Sequence, residues 1–483
     1  MRKTLNKNEE VPQCLSGSWG KRTMFFINVV VLLQTAYCLL PTISWSQKIA
    51  GGSGHSLAVC TDSTGRAWGY NADGELGDGT NFSSPVPVQV SALTAIAAIS
   101  GGGNHSIALI NNGTVWAWGD NGWGQLGNGT NSDSNVPVQV NSLTGSTAIA
   151  AGGNHSLALK NDSTLWTWGY NGYGELGNGT NSDSNIPVQV SSLTGITAIA
   201  GGYTHSLALK NDSTVWTWGQ NNYGQLGNGT NTDSNVPVQV SGLTGIIAIA
   251  GGWEHSLALK NDGTAWAWGH NGHGELGNGT NTDTNIPVQV TGLSGITAMS
   301  GGLDYSLALE NDGSVRAWGY NVFGELGNGT NTDSNVPVIV DSLTGITAIA
   351  GGTYHILALK NDQTVWAWGG NGSGQLGNGT FGTGSNLPVQ LTGLCQVSTS
   401  INEITEALII SVFPNPFSES FQLQNENAKE ATLKIFDVEG NLLVNRKLNH
   451  SEIISLSENF PSGIYLLQLQ TGDQCSSMKI VKL

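Results

Sequence analysis

Six histidines stand at one place in a 50-residue rhythm, His55, His105, His155, His205, His255 and His355, with Tyr305 completing the series. Histidine is the commonest metal ligand and a general base near neutral pH. Copies this far apart, one replaced by a phenol, read instead as buried histidines bonded to turn backbone. Glu75, Glu175, Glu275 and Glu325 share another repeated place with Gln125, Gln225 and Gln375. A position that accepts the amide as readily as the acid does not serve general acid–base chemistry. Gly122-x-Gly124-x-x-Gly127 and its copies at Gly172, Gly272 and Gly372 match a dinucleotide fingerprint. That fingerprint needs a strand before it, a helix after it and a single site, so these glycines read as turns. Asn131-x-Asp133-x-Asn135 and its copies could hold calcium through oxygen ligands. One carboxylate per loop favours Asx-turns, and no cofactor is expected.

What differs between copies is more informative than what repeats. One short connection holds Tyr203-Thr204, Trp253-Glu254, Leu303-Asp304 and Thr353-Tyr354 in successive copies. A second holds Asp120 and Trp123, Tyr170 and Tyr173, Gln220 and Tyr223, His270 and His273, Tyr320 and Phe323. Aromatic rings with a few acids gathered on one face make a recognition surface. As glycosidase carboxylates, Glu254, Asp304 and Asp120 are the only varying candidates, and they would have to form a pair at defined separation.

The elements that place these residues are strands. Each copy reads as four of them, in one copy roughly Thr197–Gly201, His205–Lys210, Thr214–Gly219 and Val236–Val240. Alternation sends Trp216 and Trp218 one way and Val215 and Thr217 the other, and sets Leu207 and Leu209 against Ser206 and Ala208. One face of the unit is thus expected to be large and the other small. A period near 50 with four short strands per unit specifies a β-propeller. Seven units give seven blades, and the first-to-second and third-to-fourth connections emerge together on one face. For closure, Lys48–Gly51 and His55–Cys60 at the N-terminal end are expected to complete a blade begun by Val365–Gly369 and Leu387–Leu391. Hairpin counting then predicts a Cys60–Cys395 disulfide locking the ring.

Composition sets the outer limits. The 483 residues carry 18 bases, 34 acids and a formal charge of −16, with 68 glycines and 13 prolines. Nucleic acid and anionic lipid need clustered Lys and Arg, so neither is expected as a partner. Lys21 and Arg22 precede an apolar run from Met24 to Leu40, too short and too interrupted for a membrane span but suited to a signal peptide. Residues 1–46 are therefore expected to be removed, leaving 13 bases and 32 acids and no transmembrane segment in the mature chain.

The strings Ala-Ile-Ala-Gly-Gly-x-x-His-Ser-Leu-Ala-Leu and Trp-Gly-x-Asn-x-x-Gly-Gln-Leu-Gly resemble the repeat of the regulator of chromosome condensation family, in register seven times between residues 47 and 393. The resemblance implies an all-β, seven-bladed propeller over 47–400 that acts as a protein-binding platform. Nucleotide exchange on a small GTPase, the founding activity of that family, stands as an alternative by family analogy only, and the export signals argue against it. After a linker at 401–410, residues 411–483 carry Val412-Phe-Pro-Asn-Pro-Phe, Leu433-Lys-Ile-Phe-Asp-Val-Glu-Gly-Asn, Pro461-Ser-Gly-Ile-Tyr and Met478-Lys-Ile-Val-Lys-Leu. These blocks resemble the type IX secretion sorting domain, a small β-sandwich, which implies contact with the secretion machinery and a secreted or outer-membrane surface location. The function expected is a binding module for an unknown protein or glycan at the cell surface. It is not expected to be an enzyme; a carbohydrate-active enzyme is the alternative.

Overall fold

The computed structural model describes residues 48–391, 393–395 and, in the C-terminal unit, 410–413, 420–425, 431–437, 442–448, 452–455, 461–471 and 474–482. The expected signal peptide lies outside the described residues, as does nearly all of the linker. Alternating apolar and small residues with turn-forming Asn, Asp and Gly dictate short antiparallel strands. Among the described residues no helix is long and apolar enough to cross a membrane.

Residues 49–390 form seven antiparallel sheets of four strands, each built from four consecutive strands. Blade 4 shows the pattern, from inside outward: Ile196–Gly201, His205–Lys210, Val215–Gly219 and Ser234–Gln239. The innermost strands of all seven blades line the central channel. Each outermost strand carries a proline, Pro137 and Pro237 among them, which leaves the edge a poor template for further pairing.

The ring closes between its N- and C-terminal blades, but not by sharing strands. The first blade is Ile49–Gly51, His55–Val59, Gly65–Gly69 and Ser84–Gln89. The last already has its own inner pair, Ile346–Gly351 and His355–Lys360. The expected mixed blade is therefore corrected. A cyclic repeat looks the same wherever it is cut, and this chain enters the ring at an inner strand.

Register also corrects the expected large and small faces. Trp218 pairs with Ser206 and Trp216 with Ala208, whereas Leu207 faces Thr217 and Leu209 faces Val215. Each face thus mixes sizes within a blade, and the fit is made between blades. Leu207, Leu209 and Val215 of blade 4 pack on Ala258, Trp266 and Trp268 of blade 5. Fully burying an aliphatic side chain such as Leu207 contributes about 1.5–3 kcal/mol.

The C-terminal unit, taken by itself, has two antiparallel sheets. One orders Ile410–Phe413, Ser420–Asn425 and Glu452–Ser455; the other orders Leu442–Leu448, Ala431–Phe436, Gly463–Thr471 and Gln474–Lys482. Among its described residues Leu433, Ile435, Tyr465, Leu467 and Ile480 are buried.

Candidate functional site

The repeated residues are consumed in joining blades. Trp218 Nε1 donates to the carbonyl oxygen of Glu175 in the preceding blade at 2.7 Å. Ser206 Oγ donates to the same oxygen at 2.9 Å. The indole bond recurs at all seven boundaries, and Trp68 Nε1 to Gln375 O at 2.9 Å joins the chain ends. The repeated Gly-[Glu/Gln]-Leu-Gly segment exists to present that oxygen. Its Gly177 has φ +63, and a Cβ there would stand 2.7 Å from the Trp218 Nε1. The fingerprint-like glycines are successive turns, Gly174 N bonding Asn171 O and Gly177 N bonding Gly174 O.

The histidines bond the next blade rather than turn backbone. His205 Nε2 lies 2.8 Å from Ser256 Oγ, and His355 Nε2 2.8 Å from Ser56 Oγ across the closure. Because the serine hydroxyl donates to a carbonyl, its oxygen must accept, so each histidine is the neutral Nε2–H tautomer. Burial pushes His55 down to about 4 and His105, His155, His205 and His355 to about 3. Tyr305 departs from the pattern together with its neighbour. The residue it faces is Ile356 in place of serine, and its hydroxyl donates to Gly352 O and His355 O, each at 2.8 Å. The Asn-x-Asp-x-Asn loops are likewise hydrogen-bonded. Asp133 Oδ1 accepts from Asn121 N, Asn131 Nδ2 donates to Gly122 O, and Asn135 Nδ2 donates to Asn81 Oδ1.

The varying connections converge as expected from the strand order, in separate groups. Trp123, Tyr170 and Tyr173 form one, with centroids 5.0 and 6.3 Å apart and edge-on geometry. Tyr223 meets His270 edge-on at 4.7 Å. His273, Tyr320, Phe323 and Tyr354 form a third group at 4.9–6.4 Å across blades 5, 6 and 7. Tyr203 and Trp253 stand apart from all of these. They stack at 3.4 Å and 7° beside Leu303 and Thr353 at the mouth of the channel, a glycine-lined cavity of about 100 Å³. Trp123, Tyr173 and Phe323 are 45%, 36% and 46% exposed, so the rings do not merely cap the core. Val322, 52% exposed beside Phe323, was missed because an isolated valine between aromatics gives no pattern.

The acids divide. Asp120 accepts from Gly122 N at 2.8 Å and from Gln125 Nε2 at 2.7 Å, so both oxygens are committed to the loop. Glu254 is half-buried, and its carboxyl is raised chiefly by desolvation, with His270 opposing. His270 Nδ1 touches Glu275 Oε1 and lies 3.5 Å from Asp304 Oδ1. Those carboxylates, Asp304 foremost, hold the imidazole up to about 10. His273 Nδ1 pairs with Asp333 Oδ2 at 2.8 Å on the surface. Glu275 was set aside with its repeat; only the neighbouring His270 and Asp304 distinguish it from Glu75, Glu175 and Glu325. Cys60 and Cys395 are each disulfide-bonded.

Comparison with known proteins places this arrangement. The regulator of chromosome condensation (RCC1) repeat model matches seven times, at 67–109, 112–159, 162–209, 212–259, 262–309, 312–359 and 362–403. The secretion system C-terminal sorting domain matches residues 411–483. No curated protein matches. Similar solved structures include human WBSCR16, at 24% identity and TM-score 0.61 over 67% of this chain and 94% of that one. Prp20p from Saccharomyces cerevisiae is similar at 21% identity and TM-score 0.63, over 73% and 89%. Yeast RCC1 (Prp20) bound to Kap60 gives 21% and 0.64, over 78% and 92%. At these identities the likeness concerns the fold, a ring of RCC1 blades. With seven in-register copies covering most of its length, the chain belongs to the regulator of chromosome condensation (RCC1) repeat family, and it ends in a secretion sorting domain.

Proposed function

We propose that this protein is an exported, non-catalytic binding module, released or held at the cell surface, that recognises a protein or glycan through the varied loop face of its propeller. The observation that carries this reading is the contrast between the two classes of residue. Repeated side chains are hydrogen-bonded into blade boundaries, while the exposed rings that vary, Trp123, Tyr173 and Phe323, sit on one face and are pre-oriented by edge-on neighbours. Rigid, partly exposed aromatics lose little entropy on binding and dominate interface energetics. Export is supported by the sorting domain, and the similar yeast propeller Prp20 is described as binding Gsp1p, histones and Kap60. A non-catalytic role is favoured over carbohydrate hydrolysis because Asp120 is locked into its loop and His270 sits among the remaining carboxylates.

Glycan arrays and cell-surface extracts presented to the immobilised propeller test this reading. A ligand bound by the native face should be lost on changing Trp123, Tyr173 and Phe323 together to Ala. Equal retention by both proteins would place recognition elsewhere, and turnover of an arrayed glycan would overturn the non-catalytic reading.

A further inference from the structure

Four of the seven blades bury a glutamate at one repeated place, and in each its Oε2 accepts the backbone N–H two residues earlier, as from His273 N to Glu275 at 2.9 Å. The other oxygen, Oε1, is buried and has no hydrogen-bond partner in any of the four. What stands opposite it differs from blade to blade. In blades 1, 3 and 6 it is a tyrosine, at Tyr70, Tyr170 and Tyr320. Where the opposing residue is Asp120, the buried position is Gln125, whose amide donates to it. Only in blade 5 does the free oxygen meet a histidine and, from the next blade, a second carboxylate.

We infer that His270 Nδ1, Glu275 Oε1 and Asp304 Oδ1 form a binding site for one first-row divalent transition-metal ion at the boundary of blades 5 and 6. These three atoms all lie within 4.8 Å of one another, and Glu275 is completely buried while His270 and Asp304 are partly open to solvent. Ligands at 2.0–2.2 Å from a tetrahedral ion stand about 3.3 Å apart, so small side-chain adjustments suffice. His270 Nδ1 and Glu275 Oε1 touch each other, and neither has a hydrogen-bond partner beyond this cluster. A buried carboxylate oxygen and an imidazole nitrogen brought this close share a cation, either the imidazole's own proton or a metal ion. One imidazole with two carboxylates suits zinc and its neighbours better than calcium or magnesium, which take oxygen alone. The open side admits a water or a group from a ligand as the fourth donor. Glu254, half-buried alongside, adds negative charge. Without metal, the proton on His270 takes the ion's place between the carboxylates.

The test is calorimetric titration of zinc chloride into the untagged chain, residues 47–483. One saturable site is expected. His270→Gln and Asp304→Asn should each weaken it at least tenfold, whereas His273→Gln, which alters the surface pair with Asp333, should leave it unchanged. Asp304→Asn changes one partly exposed oxygen, so it remains informative if the histidine variant fails to fold. No saturable binding by the native chain, native-like binding by Asp304→Asn, or loss confined to His273→Gln would overturn the assignment. Each of these results is independent of whether the loop face binds a protein or glycan.

Discussion

At the residue scale, a hydroxyl that donates to a carbonyl can only accept from its histidine, and this fixes one neutral tautomer at six blade boundaries. The consequence is a steep response to acid. Burial lowers all six of these histidines, five of them to about 3–4 against 6.5 when exposed. The unfolded chain takes up their protons as pH falls below 6.5 and the folded ring does not. Their stabilisation is complete above that pH and declines below it, by about 1.4 kcal/mol per pH unit for each histidine. Burial acts oppositely on Glu75, Glu175 and Glu325, raised to about 7. Their contribution is full below about 4.5 and is lost as pH rises through 7. The melting temperature should therefore change gently between pH 7 and 5 and drop sharply below 4.5; a flat profile down to pH 4 would contradict the histidine assignment. At the exceptional boundary, Tyr305→His should destabilise by about 1–3 kcal/mol, because Ile356 offers no acceptor. Adding Ile356→Ser should recover much of that loss, which a double-mutant denaturation cycle would measure as coupling. The sequence displayed both departures, but only the structure shows that they face each other. The same holds for Pro85 and Phe381, both of which stand close to Gly374 at the closure, where other boundaries pair two asparagines.

At the scale of strands and blades, the period and alternation were enough to specify four strands per unit and their order. Facing partners were not legible, because they depend on cross-strand register and on which blade lies alongside. Hence Trp216 and Trp218 were assigned correctly to one side, while their small partners, Ala208 and Ser206, came from register alone. The indole–carbonyl joint gives an element-scale prediction. Gly177→Ala places a Cβ in left-handed backbone and against the Trp218 ring, whereas Gly242, φ +70, has open space around it. Gly242→Ala should cost about 1 kcal/mol from backbone conformation alone. Gly177→Ala should cost at least about 2 kcal/mol more, from the clash with a packed neighbour. Equal losses by thermal denaturation would show that the glycine serves only the turn.

At the scale of the molecule, the ring closes with the same indole, histidine and inner-strand bonds that join the other pairs of blades, apart from the boundary where Tyr305 replaces the histidine. Thr353 N to Gly52 O at 3.2 Å is the inner bond at that boundary. Where the chain enters the ring could not be read from a repeat that is the same at every cut, which is why a shared blade was expected. The loop face was legible because strand order alone decides which connections emerge together. Its division into groups, with Tyr203 and Trp253 withdrawn to the channel mouth, arises from packing between blades. The central claim is that the varied loops do the recognising. Once a ligand has been captured, hydrogen exchange on the intact chain in its presence tests that claim directly. Protection is expected in the connections around residues 120–123, 170–173 and 320–323. Protection confined to the opposite turns, around 61–64, 161–164 and 211–214, would contradict it.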